Sequence, residues 1–306
     1  MSSGSNVEYT ESSMEFTTGF GIKDVVAWGN SGLVCLDAES NTVVKAPFSR
    51  DECLFHFEAE RRIYERFKQK GGHSGLLRYY GQYEFGIRLE YAPNWDLLNF
   101  LQKHQEIETQ QRLSWVQQVT DALCFIHACN VIHGDLTTRN ILLTDTLEAK
   151  VADFGGSSID GSDLLVGVNA SHALPGFDSS TLSVQADLFA LGSVLYTIMV
   201  GSCPYQDLLK EDKDHEIEAL FAAGKFPETD SLGPIGAIIT KCWHVQYDSA
   251  VSVRNDIEGI DTIKNACSIT NDVKLSVNEG SLKLPPYSSP CSPFSCPSCF
   301  LRLESV

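Results

Sequence analysis

The hydrophobic pattern changes its period near residue 91. From Phe16 to about Tyr91, short runs rich in β-branched residues alternate with polar turns: Val25-Val26, then Leu33-Val34 after Gly29-Asn30-Ser31-Gly32, then Thr42-Val43-Val44-Lys45. Such runs read as strands joined by tight connections. One stretch differs. Between Glu52 and Lys70 the apolar residues Ile63, Tyr64 and Phe67 recur at helical spacing, and Gly71-Gly72 supplies a stop. Two more strands follow, the second running through Ile87-Arg88-Leu89-Glu90-Tyr91.

Beyond residue 91 the period is mostly helical. Leu97 to Lys103, Gln111 to Asn130, Leu188 to Val200, Glu216 to Ala223 and Ile235 to Trp243 all carry it. Two short strands, Ile141-Leu142-Leu143 and Ala149-Lys150-Val151-Ala152, interrupt it around the polar Thr144-Asp145-Thr146. The pattern predicts an α+β chain: a small β-rich part with one helix, then a larger, mostly helical part ending near Asp261. Residues 1–15 are Ser-rich and residues 262–306 are rich in Ser, Pro and Cys, so both are expected to be disordered tails.

Composition removes several function classes. Acidic residues outnumber basic ones by 40 to 23, a formal charge of −17. A nucleic-acid surface needs clustered Lys and Arg, so none is expected, and a basic protein partner fits better. The longest apolar run, Leu188 to Val200, follows Asp187 and is shorter than the roughly 20 residues of a membrane span. The first fifteen residues lack the basic start and apolar run of a secretory signal, which points to the cytoplasm, with the nucleus also open. Cys35, Cys53, Cys124, Cys129, Cys203 and Cys242 read as reduced core residues. Cys296-Pro-Ser-Cys299 has half the spacing of a zinc site, without a second pair nearby.

The candidate chemistry sits in two runs, His133-Gly134-Asp135-Leu136-Thr137-Thr138-Arg139-Asn140 and Asp153-Phe154-Gly155. If the strands between them pair antiparallel, the start of the first faces the end of the second. Asn140 and Asp153 then stand together, an amide oxygen and a carboxylate suited to magnesium. Asp135 remains available as a base. Glu60 precedes Ile63, Tyr64 and Phe67 on the stripe that must turn inward, whereas Glu58 shares a polar face with Arg61, Arg62 and Glu65. A buried carboxylate needs a cation, and Lys45 is the candidate.

These runs resemble the eukaryotic protein kinase signature, H-R-D-L-x-x-x-N followed by D-F-G, in a divergent form with Gly134 in the arginine position. The resemblance implies a bilobal kinase-like fold over residues 16–261, with an N-lobe of about 16–91 and a C-lobe of about 92–261. It implies ATP and Mg2+ as cofactors and a protein substrate. Asp135 would deprotonate the substrate hydroxyl, Asn140 and Asp153 would hold magnesium, and Lys45 would pair the ATP phosphates with Glu60. Gly29, Gly32 and Val34 would cover the nucleotide, with Ala27 in the place of the first glycine. Leu89 would be the gatekeeper, and Glu90 and Ala92 would offer backbone groups to adenine. Asp96 would either contact ribose or cap the helix starting at Leu97. Phe154 would pack against the small-lobe helix and His133, while Asp187 would either brace the catalytic loop or sit at a helix N-terminus.

Departures from the pattern carry their own expectations. Without an arginine at Gly134, a phosphate on the loop Gly156 to Pro175 has no evident anchor, so the loop is expected to work unphosphorylated. Leu174-Pro175-Gly176 replaces Ala-Pro-Glu, and the arginine that this glutamate pairs with is also missing. Thr137 stands where Ser/Thr kinases carry Lys, and Arg139 resembles tyrosine kinases; Ser/Thr is preferred on prevalence. Two alternatives stay open: a nucleotide-binding pseudokinase or scaffold, and a small-molecule phosphotransferase of the aminoglycoside or choline kinase type, which also uses H-G-D-L.

Overall fold

The structure, a computed structural model, describes residues 16–29, 32–48, 54–163, 169–176 and 183–268. The N-terminal fifteen residues, the Asn30-Ser31 turn, Cys53 and the tail from 269 onward lie outside the described residues.

The β-branched runs form one antiparallel sheet of β1 (Val25–Gly29), β2 (Gly32–Asp37), β3 (Thr42–Ala46), β4 (Tyr79–Tyr83) and β5 (Gly86–Glu90), in the order β1-β2-β3-β5-β4. Lys45 pairs with Val34 on one side and Ile87 on the other, so it lies mid-sheet rather than on an edge. Gly32 admits no side chain: a Cβ there would stand 2.1 Å from the Ala46 carbonyl oxygen. The helix α1 (Leu54–Gln69) turns Ile63, Tyr64 and Phe67 inward, as the apolar stripe requires.

The remainder is mostly helical: α2 (Leu97–Lys103), α3 (Thr109–Ala128), α4 (Val184–Val200), α5 (Gln206–Lys210), α6 (Asp214–Ala222), α7 (Pro234–Trp243) and α8 (Ala250–Ser268). Two small ladders sit against them. Strand β6 (Val131–Ile132) pairs with β9 (Ser158–Ile159), and β7 (Ile141–Leu143) with β8 (Ala149–Val151). The result is a bilobal α+β fold whose main core runs continuously from the sheet to α8.

The helix α4 is apolar nearly all round because α3 and α7 enclose it. It begins at Val184, capped by Ser183, so Asp187 lies inside its first turn rather than at its head. α8 extends past the expected boundary at 261. Its signal was present as Val253, Ile257 and Ile260, all buried, but polar residues between them masked the stripe. Cys35, Cys124, Cys129, Cys203 and Cys242 are buried and unbridged. Among the described residues no helix is long and apolar enough to cross a membrane.

The α4–α7 contact gives a sign test. Helix propensity alone favours Gly192→Ala by about 1 kcal/mol. A Cβ at Gly192, however, would meet the Cys242 Cβ at 2.8 Å and the Trp243 ring at 3.2 Å. The expected outcome is destabilisation of about 1–3 kcal/mol by overpacking, read from the denaturant midpoint.

Candidate active site

Lys45 is the hub. Its Nζ lies 2.7 Å from Glu60 Oε2 and 2.7 Å from Asp153 Oδ1, with Lys45 and Glu60 both buried. Three sequence-distant elements therefore meet at one ammonium: a central strand, the inward stripe of α1 and the segment after β8. Glu58 instead pairs with Arg61 at the surface. Burial opposes the charge on Lys45, but the carboxylates of Asp153 and Glu60 outweigh it and hold the ammonium above its ordinary value. Burial pushes Glu60 up against the pull of Lys45, while Lys45 overcomes burial at Asp153 and keeps that carboxyl below its ordinary value.

The β7–β8 hairpin brings the second pair together. Ile141 faces Val151, and the Ala152 amide donates to the Asn140 carbonyl at 2.8 Å, leaving Asn140 and Asp153 at the open end. Asn140 Nδ2 donates to the Asp135 carbonyl at 2.8 Å and to Asp135 Oδ2 at 3.0 Å. Its Oδ1 is buried without a hydrogen-bond partner. A buried acceptor left in this state is costly unless something else meets it. With the Asp153 carboxylate beside it, the donor set is all oxygen and suits a hard cation that keeps waters and phosphate oxygens. Among the described residues no cluster of three or more His, Cys, Asp or Glu could hold a metal without them.

Asp187 braces the loop that carries Asp135. Its carboxylate accepts the His133 and Gly134 amides, each at 2.9 Å, and contacts His127 Nε2 at 2.8 Å. Burial would raise its pKa, but the His127 bond and these amides bring it below its ordinary value. Gly134 has φ of +74°, a left-handed conformation that suits glycine. Burial lowers His133, keeping it neutral; its Nδ1 accepts the Asp135 amide, so Nε2 donates to the Ala152 carbonyl. The His133 ring then packs on Phe154 at 5.1 Å, and Phe154 on Tyr64 and Phe67 of α1.

Two further ties from α1 have no signal in the sequence. His56, one turn before Glu60, bonds the Gly155 carbonyl at 2.9 Å. Arg66 makes a forked pair with Asp160 at 2.7 and 3.1 Å and also donates to the Cys129 carbonyl.

These elements border an open cleft. Val26, Ala27 and Val34 form its roof, Leu89, Glu90 and Ala92 its back, and Lys45, Asn140 and Asp153 its polar end. Gly29 and Gly32 are not among its lining residues. Asp96 borders it but caps α2, with Oδ1 accepting the Asn99 amide at 3.0 Å and Oδ2 the Asn99 side chain. Sequence reasoning passed over Trp95, which also lines the cleft, beneath the Lys103 ammonium at 4.2 Å from the ring centre. Its φ is +66°. Left-handed backbone costs a residue with a Cβ about 1–2 kcal/mol, and an exposed cation–π contact returns about 0.5–1 kcal/mol.

The arrangement is matched by a known family. The model described as protein tyrosine and serine/threonine kinase fits residues 56–256. The chain belongs to that family. It is 29% identical to mouse Aurora kinase C over 168 residues, covering 53% of this chain and 60% of that protein. It is 28% identical to the Dictyostelium discoideum RGS domain-containing serine/threonine-protein kinase A over 200 residues, covering 62% and 17%. Rat megakaryocyte-associated tyrosine-protein kinase is 25% identical over 193 residues, covering 60% and 40%. The chain thus spans less than two thirds of each of these relatives. The family match begins inside α1, so Lys45 lies before it, and its place in the site rests on its geometry rather than on that match.

In this kinase domain the segment after Gly155 is tied down by its own polar groups. Ser157, Ser158 and Ser171 are buried; Ser157 donates to the His133 carbonyl at 2.7 Å and Ser171 to Asn169 at 2.8 Å. His172, just before Leu174-Pro175-Gly176, is fully enclosed, and burial lowers its pKa from 6.5 to about 3. The unfolded chain therefore takes up a proton near pH 6.5 that the folded chain refuses. Stability from neutral His172 is complete above pH 6.5 and falls by about 1.4 kcal/mol per unit on acidification toward pH 3. Denaturant titrations between pH 6.5 and 5, before carboxylates protonate, are expected to show a slope that His172→Gln reduces by about that amount per unit.

Proposed function

We propose that the chain is a protein kinase that transfers the γ-phosphoryl group of ATP to a hydroxyl of a protein substrate. The observation that carries this reading is the Lys45 ammonium shared by Glu60 and Asp153 beside the Asp135–Asn140 pair. Phosphoryl transfer asks mainly for positioning and charge stabilisation. Lys45, oriented by Glu60, would hold nucleotide phosphates. Asp135 would orient the substrate hydroxyl and take its proton, with its rotamer fixed by Asn140. Asn140 Oδ1 and Asp153 would hold Mg2+, which neutralises phosphate charge when bound. Glu90 and Ala92 would receive the base at the back of the cleft.

Ser/Thr acceptors are favoured because two Dictyostelium discoideum relatives carry serine/threonine-protein kinase in their titles, while the rat tyrosine-protein kinase and Arg139 at the cleft keep tyrosine as the second reading. The net charge of −17 favours basic substrates. The buried serines of the loop and Gly134 support activity without loop phosphorylation.

Purified protein with Mg2+ and γ-labelled ATP is expected to label a mixed protein substrate, and Asp135→Asn to lower the rate by about 10²–10⁴-fold. Acid hydrolysis of the labelled product then separates phosphoserine and phosphothreonine from phosphotyrosine. Label confined to small molecules, or nucleotide binding without transfer, would refute the proposal. Prior phosphatase treatment is expected to leave the rate within about twofold, since no cation at residue 134 awaits a phosphate; a hundredfold fall counts against phosphate-independent activity.

A further inference from the structure

We propose that the Thr137 hydroxyl donates a hydrogen bond to an oxygen of the phosphoryl group in transfer, beside Asp135, and so acts as a further catalytic residue. The proposal rests on the kinase reading above and deepens it at the same site. It starts from a hydroxyl with no use in the fold. Thr137 is buried, and its Oγ1 has no hydrogen-bond partner. Other buried threonines of the chain bond back to their own helix: Thr120 Oγ1 donates to the Val116 carbonyl at 2.8 Å and Thr197 Oγ1 to the Ser193 carbonyl at 2.7 Å. Thr137 makes no such bond. It stands at the N-cap of the single 3-10 turn Thr138–Asn140, yet its side chain accepts no capping bond either. A buried hydroxyl in this state costs stability unless a ligand meets it.

The backbone gives the side that this hydroxyl takes. Thr137 is extended, with φ of −137° and ψ of 163°, and in extended chain residues two apart share a side. Leu136, between Asp135 and Thr137, is fully buried in the main core. Asp135 and Thr137 therefore lie together on the face opposite Leu136. The residues that follow go elsewhere: Arg139 and Asn140 line the nucleotide cleft, whereas Asp135 and Thr137 do not. Thr137 thus stands on the acceptor side, with the base. In the transfer, the bond from the acceptor oxygen to the γ-phosphorus forms, the bond from that phosphorus to the oxygen shared with the β-phosphate breaks, and the hydroxyl proton passes to Asp135. An ionised carboxylate only accepts, so of the two groups Thr137 alone can donate to the phosphoryl oxygens. Negative charge spreads over those oxygens in the transition state, and a fixed donor beside the base meets it while keeping its own proton.

Thr137→Val removes the donor and nearly keeps the shape. In the full chain it is expected to lower kcat by about tenfold or more while the dissociation constant of Mg-ATP, read by titration calorimetry, holds within about twofold, because the bond forms only in the transfer. The melting temperature is expected to hold or rise, since the fold loses a hydroxyl that had no partner. Thr137→Ser keeps the donor and should retain kcat within about threefold. Thr138→Val is the control: Thr138 Oγ1 is also buried without a partner, but it sits in the turn that packs on α2 and α4, and kcat is expected to hold within about twofold. An unchanged kcat in Thr137→Val, a fall that Thr138→Val matches, or a fall that comes with a lower melting temperature or with weaker Mg-ATP binding in proportion overturns the proposal and leaves the kinase reading standing. A wild-type chain that labels no protein sinks both.

Discussion

One buried ammonium and its two carboxylates set the constraint on which the rest depends. Lys45 can be inside the protein because Glu60 and Asp153 are there to meet it, and removing the ammonium would leave two carboxylates without their cation at about 3–5 kcal/mol. Because the three residues belong to β3, α1 and the segment after β8, the same electrostatic requirement fixes the sheet, the helix and the large lobe relative to one another. The geometry of the site and the stability of the fold are thus served by one set of contacts.

A second constraint works on the opposite side of the cleft. Asp187, inside the first turn of α4, holds the His133 and Gly134 amides and so determines where Asp135 stands. The neutral His133 passes that position on to Phe154 through ring packing, and Phe154 passes it to α1 through Tyr64 and Phe67. The helix that carries Glu60 is therefore held from both ends of the site. His56 on Gly155 and Arg66 on Asp160 add polar ties along the same helix. The Arg66–Asp160 pair is largely solvent-exposed and contributes little energy, but its forked geometry fixes direction. Together these contacts give a physical account of how a kinase domain lacking the loop-anchoring arginine can hold its helix in place.

Much of this was legible along the chain, for identifiable reasons. β-branched runs marked β1 to β3 and β5, and the spacing of Ile63, Tyr64 and Phe67 both marked α1 and separated Glu60 from Glu58. Antiparallel pairing placed Asn140 beside Asp153 because register follows from a short polar turn between two apolar triplets. Other features were not readable. The helix α8 was hidden because its apolar stripe is sparse. Asp96 could be assigned to either of two roles, and the Asn99 geometry shows that it caps α2 while bordering the cleft. Trp95 carried no local sign of its positive φ, since its conformation is imposed by hydrogen bonds to β7.

The amino-acid order by itself determined most of the elements, the polar residues that gather at the cleft and which helical carboxylate must face inward, because periodicity and residue type are local properties. Only the tertiary structure decided that Lys45 meets both Glu60 and Asp153, that Asp96 caps α2 at the border of the cleft, and that Trp95 lines the cleft. Those facts depend on distances between segments far apart in sequence, where a carboxylate or a ring acquires its role from what the fold brings to it.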